Sequence, residues 1–125
     1  MSGVVFDAGA LIAFEKGDRR VVAIVARALA RRVTIAVPAG VVAQVWRDVR
    51  RQVPLARLLA SDVVTVEPLD DTGARAAGQL CGVTRTRDVV DASVVLCARR
   101  RHTSVVTSDP DDLKRLDPQL SLIAV

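Results

Sequence analysis

Short β-branched runs alternate along the chain with longer stretches in which apolar side chains recur every three or four positions. Val4, Val5 and Phe6 predict a first strand over residues 4–7, followed by a short helix from Ala8 to about Glu15 that breaks at Gly17. Asp18 reads as the cap of a second helix, with Val21, Val22, Val25, Ala28 and Leu29 on one face. A second strand is predicted at 33–37. Pro38 then suits the first turn of a helix carrying Val41, Val42, Val45, Trp46 and Val49 and ending before Pro54. A helical segment at 55–59 leads into a third strand at 63–66. Asp70 or Asp71 caps a helix to about Cys81, and residues 82–87 form a loop rich in Thr and Arg. A helix from Asp88 to Arg101, a fourth strand at 104–107, a short helix opened by Asp109-Pro110 and a last strand or tail at 120–125 complete the pattern.

Strands that alternate with helices are the signature of βαβ units and a parallel sheet. The 125 residues fit one domain spanning 1–125, without internal repeat, linker or low-complexity segment. Composition sharpens this. Half of the residues are apolar, yet Phe6, Phe14 and Trp46 are the only aromatics. A core of Val, Ala and Leu suits a sheet buried on both faces. Cys81 and Cys97 show no metal-binding spacing and are expected as small core residues on helices, in a reducing compartment. With neither a leader-like N-terminus nor a run long enough to span a membrane, the expected location is cytoplasmic.

The formal charge is +4, and Lys16 and Lys114 are the only lysines. An arginine-rich chain with a GC-rich coding bias would show the same Arg-over-Lys preference. The positive sign itself favours an anionic partner such as nucleic acid.

The candidate chemistry lies in the aspartates. Singly, each has a structural explanation: Asp7 and Asp109 precede helices and suit N-caps, and Asp88 caps the helix on which Asp91 stabilises the first turn. The set says more. Asp7 and Asp109 each fall just past the carboxyl end of a predicted strand, where open parallel sheets bind ligands. A right-handed crossover brings Asp91 to the same rim, and Asp88, three residues earlier, shares its helical face. Several carboxylates there repel one another unless a cation offsets them. Oxygen-only donors favour Mg²⁺ or Mn²⁺ over zinc, and such an ion supports phosphodiester hydrolysis.

Four segments carry a family resemblance: VVFDAGALIAF, VPAGVVAQVWRD, DVVDASVVLCAR and VVTSDPDDL. In this order, over nearly the whole chain, they resemble the PIN-domain family and most closely its VapC toxins. The resemblance implies a three-layer α/β domain whose parallel sheet has four to five strands between helices. It implies a Mg²⁺- or Mn²⁺-dependent endoribonuclease, a homodimer, and a VapB-type antitoxin partner whose tail enters the active-site groove. Asp7, Asp91 and Asp109 match the first, third and fourth acidic positions, while Asp88 and Asp111 look like accessory ligands. Asp112 reads as a solvated first-turn residue. The second acidic position, usually Glu, falls on Gln44, whose amide keeps a carbonyl oxygen but loses a charge. A catalytically silent module that binds an antitoxin or RNA without cleavage is the alternative.

Arg85 and Arg87, just before Asp88, are candidate phosphate ligands, and Thr107 and Ser108, beside Asp109, are candidates to orient a carboxylate or contact phosphate. Arg47, Arg50 and Arg51 read as a solvated face, Arg99 to Arg101 as cations at a helix C-terminus, and Trp46 as packing or a dimer contact. His102 is the only histidine and reads as surface, so no Ser-His-Asp triad can form around the Asp cluster. Gly-rich phosphate loops are absent as well.

Overall fold

The computed structural model describes residues 3–125. In chain order the elements are β1 (Val4–Phe6), α1 (Ala8–Glu15), α2 (Arg19–Arg31), β2 (Ile35–Pro38), α3 (Ala39–Val45), α4 (Val53–Leu59), β3 (Val64–Glu67), α5 (Asp71–Thr84), α6 (Val89–Arg101), β4 (Ser104–Thr107), α7 (Pro110–Leu116) and β5 (Leu122–Ala124). All five strands run parallel in the order β3-β2-β1-β4-β5. The chain steps outward from β1 to β3, then returns across the sheet to place β4 on the other side of β1. Right-handed crossovers therefore put α1 to α4 on one face and α5 to α7 on the other. This is the three-layer parallel architecture expected from the pattern.

Burial follows position in the sheet. β1 and β2 are buried at every residue, whereas the edge strands β3 and β5 are largely half-buried or exposed. Central strands covered by helices on both faces lose the alternation of apolar and polar positions, which is why β1 reads Val-Val-Phe. Leu11 of α1, Val21 of α2, Val41 of α3, Leu55 of α4, Val94 and Val95 of α6 and Leu113 of α7 close over these strands without exposure or nearly so. Both cysteines are free and buried. Among the described residues no helix is long and apolar enough to cross a membrane.

Two local differences from expectation have clear causes. The helix after β2 stops at Val45 instead of running to residue 49. There the Gln52 side chain takes over the backbone: its Oε1 accepts from the N–H groups of Arg47 and Asp48, and its Nε2 donates to the Val45 carbonyl and to Glu15. A buried glutamine that offers both donors and acceptors competes with the next helical turn. Further on, α5 runs three residues beyond Cys81 and ends on Arg85 in the left-handed region at φ 58°, a position that glycine usually fills.

The orientation of α6 is fixed at both ends. At its start, Gly40 of α3 meets Val90, where an added Cβ would lie 3.2 Å from a valine methyl, so the absence of a side chain permits the close approach. At its end, Glu67 accepts from Arg100 at 2.8 Å, Arg101 at 2.6 Å and the Cys97 thiol at 3.0 Å. Burial tends to raise the Glu67 carboxyl, but the hydrogen bonds from Arg101, Arg100 and Cys97 outweigh it and hold it down at about 2. A carboxyl held below its unfolded value stabilises the folded state above that value and stops doing so as the pH falls through the folded one. Glu67→Gln is therefore expected to be less stable than the parent in urea at neutral pH. The gap should close as the pH drops from 4.5 toward 2; a gap independent of pH would show that the ion pairs contribute nothing.

Candidate metal centre and phosphate-facing rim

The order of the strands reverses between β1 and β4, and the crevice beyond their carboxyl ends is where such sheets bind ligands. Asp7 leaves β1 at this point with only 5% of its surface exposed. Its Oδ1 accepts from the Ala10 N–H at 2.9 Å and so caps α1. Burial raises the Asp7 carboxyl, offset in part by hydrogen bonds from the Thr107 hydroxyl and the Ala10 and Gly9 N–H groups. Thr107, the last residue of β4, is fully buried, and its hydroxyl oxygen also accepts from the Asp109 N–H at 2.9 Å. One threonine thus ties the ends of β1 and β4 together. Ser108 is exposed and lies over the first turn of α1, its Oγ where a Cβ on Gly9 would stand.

Asp91 enters from α6. The Asp88 Oδ1 accepts from its backbone N–H at 2.9 Å, so Asp88 is the cap and Asp91 the half-buried first-turn residue. Burial pushes the Asp91 carboxyl up to about 7, and the carboxylates of Asp88, Asp7 and Asp112 push the same way. Asp91 therefore feels carboxylates from three elements.

Asp109 behaves differently from a cap. It occupies the N-cap position of α7, yet its carboxylate makes no capping bond and is exposed. It is raised by a hydrogen bond with Asp112, then by burial and by the charges of Asp112 and Asp111. Asp111 is exposed on the same turn. Asp112, expected as a solvated residue, is half-buried and shares a 280 Å³ pocket with Asp88 and Asp91. The i, i+3 spacing from Asp109 to Asp112 was the signal that marks it. Gln44 is exposed on α3, and no hydrogen bond joins it to these carboxylates among the described residues. Arg85 and Arg87 are exposed and line the pocket that holds Asp91.

The donors suit a hard divalent ion: every one is a carboxylate oxygen, and their mutual repulsion is what such a charge relieves. Among the described residues, however, no group of three or more histidine, cysteine, aspartate or glutamate side chains is gathered closely enough to hold a metal ion.

A parallel sheet covered on both faces, with carboxylates beyond its switch point, defines a three-layer α/β domain with an acidic rim. The chain matches the PIN domain family over residues 4–118 and belongs to it. VapBC2 of Rickettsia felis, solved with a fragment of its promoter DNA, shares the fold with a TM-score of 0.73 at 16% identity, over 98% of each chain. The sarcin–ricin-loop-cleaving toxin VapC20 of Mycobacterium tuberculosis gives 0.68 at 18% identity, over 98% of this chain and 100% of that one. FitAcB of Neisseria gonorrhoeae gives 0.64 at 16% identity, over 96% of both. At such identities the likeness establishes the fold. No characterised protein matches in sequence at a significant level.

The crowding of Asp91 has a measurable consequence. A carboxyl raised in the folded state holds its proton more tightly there than when unfolded, so stability falls as the pH rises from 3.8 to about 7. In EDTA, Asp91→Asn should melt several degrees above the parent at pH 8, with the difference vanishing toward pH 4. Equal melting at pH 8 would mean that Asp91 is not crowded.

Proposed function

We propose that this PIN domain is a divalent-metal-dependent endoribonuclease and the toxin of a VapBC-type pair. The reading is carried by one observation: Asp7 and Asp91, from elements distant in sequence, converge with Asp88 and Asp112 beyond the switch point of the sheet. Asp7, Asp91 and Asp109 are the proposed catalytic ligands, with Asp88 and Asp111 as accessory carboxylates and Gln44 bordering the site. A bound Mg²⁺ or Mn²⁺ would supply positive charge against the phosphate oxygens and lower the pKa of the attacking water.

The chain's own residues do the rest. Thr107 holds Asp7 in place through its hydroxyl, and Ser108 borders the same turn. Arg85 and Arg87 offer guanidinium donors to the phosphates of the RNA strand and offset their charge. Hydrolysis adds the water oxygen to phosphorus and breaks one P–O bond, and the proton lost by water ends on the leaving oxygen. The substrate is RNA, bound through phosphate and shape, since Phe6 is buried and the few other aromatics pack against the core. The partners are a VapB-type antitoxin and a second copy of the chain, in the cytoplasm. The VapBC and FitAB assemblies among the structural neighbours support an antitoxin partner.

Gln44 favours a second reading, a silent module that binds an antitoxin or RNA without cleaving. An uncharged, exposed side chain stands where the family carries an acid, and one negative charge fewer weakens the hold on a cation.

The test is RNA cleavage by the antitoxin-free protein with Mg²⁺ or Mn²⁺ against EDTA. Wild type should cleave in metal only, and Asp7→Asn should lose roughly a hundredfold or more. The parent should also gain thermal stability on adding Mn²⁺, by about 2.7 kcal/mol at a hundredfold excess over Kd, while Asp7→Asn gains little. Cleavage that appears only in Gln44→Glu would favour the silent module, and cleavage by none of the forms across a broad RNA panel would reject the nuclease.

A further inference from the structure

Beside the carboxylates lies the 280 Å³ pocket in which Arg85, Arg87 and Arg115 face the same space as Asp88, Asp91 and Asp112. The cations arrive from two separate elements: Arg85 and Arg87 from the turn between α5 and α6, Arg115 from α7. We propose that Arg115 is a substrate-positioning residue, which together with Arg85 and Arg87 grips a phosphate of the RNA strand other than the one being cleaved. This rests on the nuclease reading and extends it to how the strand is laid across the site.

Three observations carry it. First, the guanidinium groups are not occupied in holding the fold. Among the described residues Arg85 and Arg87 form no ion pair and no side-chain hydrogen bond, although three carboxylates share their pocket. Arg115 reaches only Asp112, at 3.7 Å with 73% of its side chain exposed, and a long exposed pair of this kind holds its partners weakly. By contrast, Arg99, Arg100 and Arg101 are committed to Asp117 and Glu67 at 2.6–2.9 Å.

Second, the pocket carries both signs of charge and pairs them only through the long Arg115–Asp112 contact. Simple neutralisation would bring the guanidiniums onto the carboxylates. A phosphodiester with its counterion satisfies both sets at once, since the anion meets the arginines while the acidic side keeps its cation. Guanidinium suits phosphate because it donates through a planar fork.

Third, the space is small. It lies just below the size of sites for drug-like ligands and suits one phosphate with its sugar. Its borders explain the left-handed turn at Arg85. That conformation ends α5 and turns the chain at once into the segment that delivers Arg87 and then caps α6 through Asp88.

The experiment compares the full-length parent, Arg115→Ala, Arg115→Lys and the distant control Arg31→Ala. A short single-stranded 2′-O-methyl RNA is titrated across a salt series, and cleavage is followed on matching RNAs in which one neutral methylphosphonate is walked along the strand. Arg115→Ala should bind about tenfold more weakly at low salt, and its slope of log Kd against log salt should fall by about 0.7, the loss of one single-strand phosphate contact. Arg115→Lys should keep the slope while losing part of the affinity, and Arg31→Ala should match the parent. One methylphosphonate position should slow the parent and leave Arg115→Ala unaffected.

If Arg115→Ala matches Arg31→Ala in slope and in every methylphosphonate position while the parent cleaves, the inference falls and the nuclease stands. If the parent fails to cleave but its binding slope depends on Arg115, the nuclease reading falls and the phosphate site stands. If no form binds the RNA at any salt concentration, both are overturned.

Discussion

Everything at the site depends on keeping one carboxylate buried at the end of a central strand. Asp7 follows three fully packed residues and sits between α1 and β4, so it cannot turn to solvent. Burying an ionised group costs free energy unless hydrogen bonds replace its water. The first turn of α1 and the Thr107 hydroxyl provide those bonds, and the same bonds fix where its oxygens point. Capping the helix and holding a ligand are thus two aspects of one geometry. That is why a carboxylate with a sound structural role can still face the crevice.

The second carboxylate arrives from across the chain, and its position is set from a distance. The glycine contact at the start of α6 lets that helix come close to α3, and Glu67 holds its last turn to β3. Between these anchors the first turn of α6 meets the end of β1. The repulsion among Asp7, Asp88, Asp91 and Asp112 is tolerated because packing elsewhere has already settled where the helix lies.

Much of this was legible in the residues. The buried strands announce themselves as continuous β-branched runs, and the caps at Asp7, Asp18 and Asp88 follow from the chemistry of aspartate before a helix. The places of Asp7 and Asp109 follow from the strand ends they succeed. What stayed hidden were effects carried by the other partner in a contact. The end of α3 is decided by Gln52, seven residues beyond, which no local periodicity reveals. Asp109 looks like a cap by sequence, yet its carboxylate makes no capping bond and meets Asp112 instead. Asp112 gains its place only because α7 packs against α6, a tertiary fact that spacing alone hints at.

The strand order has a consequence for how the molecule comes into being. β1 is made long before β4, yet β4 is one of its two neighbours, with Val4 pairing to Ser104 and Phe6 to Val106. The sheet cannot close until β4 has been made, and pairings so far apart in sequence form late. During synthesis β1 waits half-paired against β2 until the segment carrying Thr107 and Asp109 has emerged. The carboxylate rim is therefore assembled in a single late event. A growing chain carries no finished rim until β4 has docked beside β1.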